Sequence, residues 1–428
     1  MKIKNFEELA TTELRRAALA IAEAGLEAVD TERVMRANVR LENDSLRIGR
    51  EVIPLAAVGR VIVVGIGKCA GSAGEAMEKI LGERISGGVI LGVGEVPKFA
   101  RMAGYPGTHP LPSEQNMIGA RAIVEVLRGM TPKDLVIFLI TGGGSTLLCL
   151  PETGKCEEEA ALLQALTRGG ATIQEINTVR KHLSLARGGY LAKYAYPARV
   201  CSLIFSDVPG DVMEFVASGP TVKDTTVVTD AEAILEKYDV LKLCGMTRCG
   251  LIETPKEDEY FKNVVNFIAV SNSTALEAMR KQAENSGFKT IVCSTCISGD
   301  AREAGKDVMA TLAKSKPKTA LLYGGETTVT IKGRGRGGRN QEAALSALRF
   351  VQKGQVMITL ASDGRDNGDF AGAICDTMTK ERADAQNVDI KAHLNENNST
   401  PFFEEVRNYL MTGNTGSNIA DLIVAIRE

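Results

Sequence analysis

No stretch of this sequence reaches about 18 consecutive apolar residues, the length a helix needs to cross a bilayer. The opening Met1-Lys2-Ile3-Lys4-Asn5-Phe6-Glu7-Glu8 also lacks the apolar core of a secretory signal, so a cytoplasmic protein with no membrane partner is expected. An excess of one charge is missing too: 51 Lys and Arg stand against 53 Asp and Glu, which argues against a general nucleic-acid binder. Histidine is scarce, and His182 has no partner at metal-ligand spacing, so it reads as structural. The nine cysteines are scattered and odd in number, which fits reduced thiols better than a disulfide framework. Cys244/Cys249 and the C-x-x-C at Cys293/Cys296 are the pairs from which a zinc site or a disulfide could form. The first spacing is loose, however, and the supporting pattern is absent. No tandem repeat or low-complexity tract is present.

What remains is a chain of 428 residues, 44% hydrophobic and 24% charged, too long for one ordinary core. Two α/β domains are expected, 1–240 and 263–428. The charged, weakly periodic segment 241–262 would join them.

The stretch from Gly324 to Glu342 organises the reading. The apolar strand Ala320-Leu321-Leu322-Tyr323 runs into Gly324-Gly325, and alternation resumes through Thr328, Val329, Thr330 and Ile331. Lys332 to Arg339 then holds four cations, four glycines and no acid, before Asn340-Gln341-Glu342 opens an Ala/Leu-rich helix. Glycines let a backbone turn tightly and present its N–H groups, and guanidinium forks match phosphate oxygens. A helix N-terminus adds partial positive charge at the same point. A polyanion is the expected ligand. A surface hairpin or a nucleic-acid-binding Arg–Gly patch fits less well, because strong strand and helix patterns bound the loop.

The same device recurs earlier. Strand Val61–Val64 feeds Gly65-Ile66-Gly67-Lys68 and then a helix from Glu75. The spacing is neither a Walker A loop nor a good dinucleotide fingerprint, and Lys68 is placed to meet a ligand anion. Strand Leu135–Ile140 ends in Thr141-Gly142-Gly143-Gly144-Ser145-Thr146, a second anion loop at the strand edge where ligands of open α/β sheets gather. Residues 101–112, with His109, read as a loop, and 157–185 as helical. Within the latter, Arg180, Lys181 and Arg187 either face the site or form a solvated basic face. Strand Val200–Phe205 delivers Ser206-Asp207, and Val356–Leu360 delivers Ser362-Asp363 in a loop with three carboxylates in seven residues, which suits a divalent ion. Asn272, at a loop and helix cap after strand Phe267–Val270, joins the phosphate-binding set.

Cations and N–H groups for a moving phosphate, with carboxylates for magnesium, form the mixture that phosphoryl transfer requires. The residues alone lead to an ATP- and magnesium-dependent kinase of a small anion.

Val64-Gly65-Ile66-Gly67-Lys68, Thr141-Gly142-Gly143-Gly144-Ser145, Ser206 to Asp211, Ala217-Ser218-Gly219-Pro220-Thr221, Gly324 to Thr327, Gly337 to Glu342 and Ser362-Asp363-Gly364 occur in this order. Together they resemble the glycerate 2-kinase family, whose second half is called the MOFRL domain. The resemblance covers nearly the whole chain. It implies transfer of phosphate from ATP to the 2-hydroxyl of D-glycerate in two α/β domains flanking a cleft, the first Rossmann-like, and one essential lysine and arginine at Lys68 and Arg339. With them we set Glu326 and Asn340 at the substrate. Gly65, Gly67, Gly142, Gly143, Gly144, Ser145, Asn272, Arg334, Arg336, Gly337 and Gly338 are set at the nucleotide phosphates, and Asp207 and Asp363 at Mg2+. A homodimer is one assembly to consider. The alternatives are an NAD(P)-dependent hydroxypyruvate reductase, a label some relatives carry, and a non-catalytic sensor of a phosphorylated metabolite. The weak dinucleotide fingerprint speaks against the first.

Overall fold

Between Thr31 and Ala269 the chain first makes a small antiparallel sheet of β1 (Val39–Glu42), β2 (Ser45–Ile48) and β3 (Glu51–Pro54). It then builds a six-stranded sheet from β4 (Val61–Ile66), β5 (Gly87–Val93), β6 (Ala103–Gly107), β7 (Leu135–Ile140), β8 (Arg199–Phe205) and β9 (Val264–Val270). The strand order is β6-β5-β4-β7-β8-β9, and every pairing from β6 to β8 is parallel. Growth runs outward from β4 through β5 and β6, then restarts on its other side with β7. The switch point of this doubly wound sheet therefore lies between β4 and β7. Both strands are buried at every position, as central strands covered on two faces must be. This computed structural model describes residues 1–428 apart from the side chain of Pro209.

A second compact unit joins Met1–Asp30 to Val270–Glu428. Its sheet contains β10 (Lys289–Ile297), β11 (Thr319–Gly325), β12 (Gln355–Ala361), β13 (Gly372–Asp376), β14 (Tyr409–Leu410) and β15 (Asp421–Arg427), in the order β10-β11-β15-β12-β13-β14. Only β10 and β11 run parallel; the other pairings are antiparallel. Register sets Asp421 opposite both Gly325 and Ala361, so the first residue of β15 sits between the carboxyl ends of β11 and β12.

This grouping differs from the expected division 1–240, 241–262 and 263–428 for two physical reasons. Arg15, on the helix Glu13–Ala28, is fully buried and gives Nε and Nη2 to the Asp376 carboxylate at 2.6 Å each. Its Nη1 donates to Asn408 Oδ1 at 3.0 Å, so a buried charge is fully partnered by the far end of the chain. Residues 241–262, in turn, pack on the earlier unit: Ile252 N donates to His182 O and Tyr190 Oη to Glu253 O, both at 2.8 Å.

Local readings also shift. The expected loop 101–112 contains β6, and 157–185 splits into the helices Cys156–Arg168 and Ile173–Lys181. The alternation at 328–331 makes no strand, only an isolated bridge from Thr328 to Asp300. Cys149 and Cys156 are joined in a disulfide, against the expectation of thiols throughout; the other seven cysteines stand outside any disulfide among the described residues. His182 is structural, its ring nitrogens lying 2.8 Å from Ile252 O and 3.2 Å from Thr226 Oγ1. Among the described residues no helix is long and apolar enough to cross a membrane.

Candidate active site

The two glycine turns of the first sheet meet at its switch point. Lys68 N donates to Gly142 O at 2.9 Å, Cys69 N to Thr141 Oγ1 at 3.1 Å, and Thr141 N to Ile66 O at 2.8 Å. Gly67 has φ +117°, and a Cβ there would stand 2.2 Å from Thr141 Oγ1 and 2.7 Å from Gly142 O. Only glycine permits this closeness. Beyond the turn, Lys68 is exposed between buried neighbours. A Cβ on Gly143 would lie 3.2 Å from Lys68 Cγ and 3.3 Å from His109 Cδ2, so both side chains lie against that glycine. The helix Ala70–Leu81 begins two residues after Lys68, and its N-cap residue Cys69 makes no side-chain cap hydrogen bond. Ala70 N is given to Gly67 O at 3.3 Å, and the amides that follow it in the first turn are suited to an anion.

Behind the second turn, Ala217 (φ +52°), Ser218 (+59°) and Gly219 (+59°) are three successive left-handed residues. Two of them are not glycine, a strain that tends to gather at functional sites. Ser218 Oγ donates to Asn177 Oδ1 at 2.7 Å and lies 2.9 Å from Ser145 Oγ, bracing the hydroxyl that closes the glycine turn. Sequence reasoning missed His109, Asn177 and Ser218 as site residues. The Ala217 to Thr221 motif was the available signal for the last. Asp207 follows β8 at the same carboxyl edge and is half-buried.

In the second unit the centre is Arg339. Its Nε and Nη2 donate to the two oxygens of Asp421 at 2.5 and 3.0 Å, and Nη1 meets Glu326 Oε1 at 2.7 Å. Three of five guanidinium donors are thereby engaged, and two remain for a ligand. Burial drives the Asp421 carboxyl up to about 7, and the nearby acids Asp366 and Glu326 push the same way against Arg339. Arg339 itself loses by burial but is held above its ordinary value by these carboxylates. It lines a cavity of about 430 Å³ with Glu326, Thr327, Gly338, Arg365 and Asp366.

Several expected phosphate and substrate ligands are otherwise employed. The helix Arg339–Ala347 does not offer its N-terminus to a ligand, because Asp366 accepts from Asn340 N at 2.9 Å and Gln341 N at 2.8 Å. Asn340 Nδ2 also faces Asp366, and Asn340 O accepts from Thr359 Oγ1, so this buried side chain serves the fold. Gly338 is glycine because a Cβ would meet Asp366 O at 2.1 Å. The amides of Lys332 and Gly333 are taken by Asn397 Oδ1, that of Gly335 by Glu396 O and that of Arg336 by Asn398 Oδ1. Arg336 pairs with Glu404 at the surface, and Arg334 is exposed and does not line the cavity. Asn272 Nδ2 donates to the carbonyls of Ile419 and Asp421 and so braces the start of β15. Asp363 Oδ1 accepts from Arg365 N at 2.9 Å, a turn role. Among the described residues no three His, Cys, Asp or Glu side chains cluster to hold a metal. Asp207 and Asp363 therefore fit magnesium only in the mode where one or two carboxylates act with substrate phosphates.

A doubly wound sheet with a lysine and a helix N-terminus at its switch point defines an α/β protein of the class whose ligands gather at the carboxyl ends of the strands. The comparisons make this specific. The description "Domain of unknown function (DUF4147)" matches residues 17–246 and "MOFRL family" matches 319–421. A glycerate 2-kinase from Pyrococcus horikoshii is 36% identical, over 97% of this chain and 97% of its own. A crystal structure of glycerate kinase from Thermotoga maritima superposes with TM-score 0.84 at 33% identity, covering 96% of this chain and 99% of that one. A relative from Agrobacterium vitis, provisionally named hydroxypyruvate reductase, is 37% identical over 86% of this chain and 88% of its own. The chain belongs to the glycerate 2-kinase family.

Proposed function

We propose that this enzyme transfers the terminal phosphoryl group of ATP to the 2-hydroxyl of D-glycerate, giving 2-phosphoglycerate and ADP. The observation that carries the reading is the position of Lys68 over Gly143, beside the N-terminus of the helix Ala70–Leu81. A cation fixed before reaction stabilises charge on a transferred group without reorganising. Arg339 is held in the same sense by Asp421 and Glu326, and its two remaining donors suit a carboxylate or phosphate edge. Magnesium, when bound, would neutralise phosphate charge, with Asp207 and Asp363 as the carboxylates nearest that task in kind. A cytoplasmic location belongs to the same reading.

The reductase alternative meets a physical obstacle. A dinucleotide pyrophosphate needs the amides of the first glycine turn. Here Gly67 N, Lys68 N and Cys69 N are already given to Leu91 O, Gly142 O and Thr141 Oγ1. Incubation with ATP, magnesium and D-glycerate, with the product resolved as 2- or 3-phosphoglycerate, tests the proposal. Oxidation of NADH by hydroxypyruvate at 340 nm, with no phosphorylated product, would replace it by the reductase.

A further inference from the structure

Ser145, Ser218 and Asn177 form a hydrogen-bonded chain whose protons can be placed in only one way. Asn177 Nδ2 donates to Glu214 O at 3.3 Å, so the amide oxygen Oδ1 is the atom that faces Ser218 Oγ at 2.7 Å. The reverse amide would set its oxygen against the Glu214 carbonyl, acceptor against acceptor. An amide oxygen carries no proton, so the single proton of Ser218 lies between Ser218 and Asn177. The 2.9 Å contact between Ser145 Oγ and Ser218 Oγ then requires the proton of Ser145. Ser145 is thereby a donor toward the interior and has only lone pairs for anything else. Ser218 and Asn177 are buried, and Ser145 is the half-buried end of the chain. Gly144 lets the turn close on this support, since a Cβ there would stand 2.6 Å from Ala217 Cβ.

A hydroxyl that can only accept does not suit a phosphate or carboxylate oxygen, which is an acceptor as well. The ligand groups that fit it are a hydroxyl and a cation. Lys68 lies against Gly143 in the same turn and already brings positive charge there, which disfavours a metal ion at Ser145. The chain ends on an amide, which takes up no proton near neutral pH. It can hold a hydroxyl in place but cannot remove its proton as a general base would. Resting on the glycerate kinase reading, we propose that Ser145 accepts a hydrogen bond from the 3-hydroxyl of D-glycerate, the hydroxyl that does not react. Ser218 and Asn177 are positioning residues that fix this polarity. Ser145 then selects 3-hydroxylated acids over their 3-deoxy analogues, because an analogue leaves the acceptor unpaired. This role replaces the phosphate contact expected of Ser145.

Steady-state kinetics on the full chain with ATP, magnesium and D-glycerate test this, with D-lactate, the same acid without its 3-hydroxyl, as a competitive inhibitor. Ser145→Ala should raise KM for D-glycerate about tenfold, the loss of one hydrogen bond, with a smaller change in kcat. Ki for D-lactate should stay within about twofold of the native value, because that ligand never made the bond. Ser218→Ala keeps the Ser145 hydroxyl but frees its proton, and should raise the same KM about threefold or more with Ki for D-lactate again unmoved. A merely structural role would weaken both ligands together. Failure of the glycerate kinase reading shows separately, as no phosphorylation of D-glycerate by the native chain, and takes this assignment with it. With native turnover present, the assignment alone is overturned by an unchanged KM for D-glycerate in Ser145→Ala or by equal weakening of D-glycerate and D-lactate. A raised magnesium requirement in that variant, at an unchanged ratio of D-glycerate KM to D-lactate Ki, would overturn it by making Ser145 a metal ligand.

Discussion

Arg339 and Asp421 form a two-point pair across 82 residues of sequence, Nε and Nη2 each meeting one carboxylate oxygen. The register of β15 holds Asp421 between the ends of β11 and β12, so the arginine is aimed by the sheet rather than by its own helix. A lysine offers one centre where the guanidinium offers a fork. We expect Arg339→Lys to be nearly as damaging as Arg339→Ala, each lowering kcat/KM about a hundredfold or more, the range for one preorganised donor. Steady-state kinetics on the two variants checks it; near-native turnover in the lysine variant would mean that charge alone suffices.

Asp421 should imprint a pH dependence. Its carboxyl holds a proton in the fold up to about 7, whereas an unfolded aspartate releases it near about 4. The group's contribution to stability is therefore fully present below about pH 4 and is lost as pH rises through about 7. Ionisation also completes the salt bridge with Arg339. We expect activity to rise through about pH 7 and Asp421→Asn to flatten that limb, with Tm falling less between pH 5 and 8 than in the native protein. Rate and Tm profiles for both proteins decide it, and an unaltered limb in the variant assigns the titration elsewhere.

Lys68→Ala separates transition-state stabilisation from binding. The side chain is exposed and adds little packing, so Tm should hardly move. Turnover should fall by about a hundredfold or more, with smaller changes in KM for ATP and glycerate. A raised KM for glycerate at normal kcat would make Lys68 a carboxylate anchor instead.

Asp207→Asn and Asp363→Asn address the metal. Each removes a charge with little change in shape, and the variant at a true ligand should require more magnesium for half-maximal activity while folding normally. Magnesium titrations superimposing on the native curve for both would leave the two aspartates as turn residues.

The glycine turns after Val61–Ile66 and Leu135–Ile140 were legible in the sequence because their causes are local: an apolar run, then residues that alone tolerate the turn. The position of Lys68 just past the first of these turns was legible for the same reason. The loop 332–339 had equally strong local features, yet its amides went to Asn397, Asn398 and Glu396, some 60 residues further on. No local pattern shows which acid will occupy a helix N-terminus; Asp366 caps Arg339–Ala347 only because the strand β12 delivers it there. The strands of 39–54 escaped notice because four-residue strands with exposed charges lack periodicity. The attachment of residues 1–30 to the later unit rests on Arg15 meeting Asp376, a contact across 361 positions. Sequence by itself thus determined where the chain turns and which residues are fit to meet an anion. Tertiary structure decided which of them remain available, because a buried donor or charge is taken by whatever partner packing brings to it first.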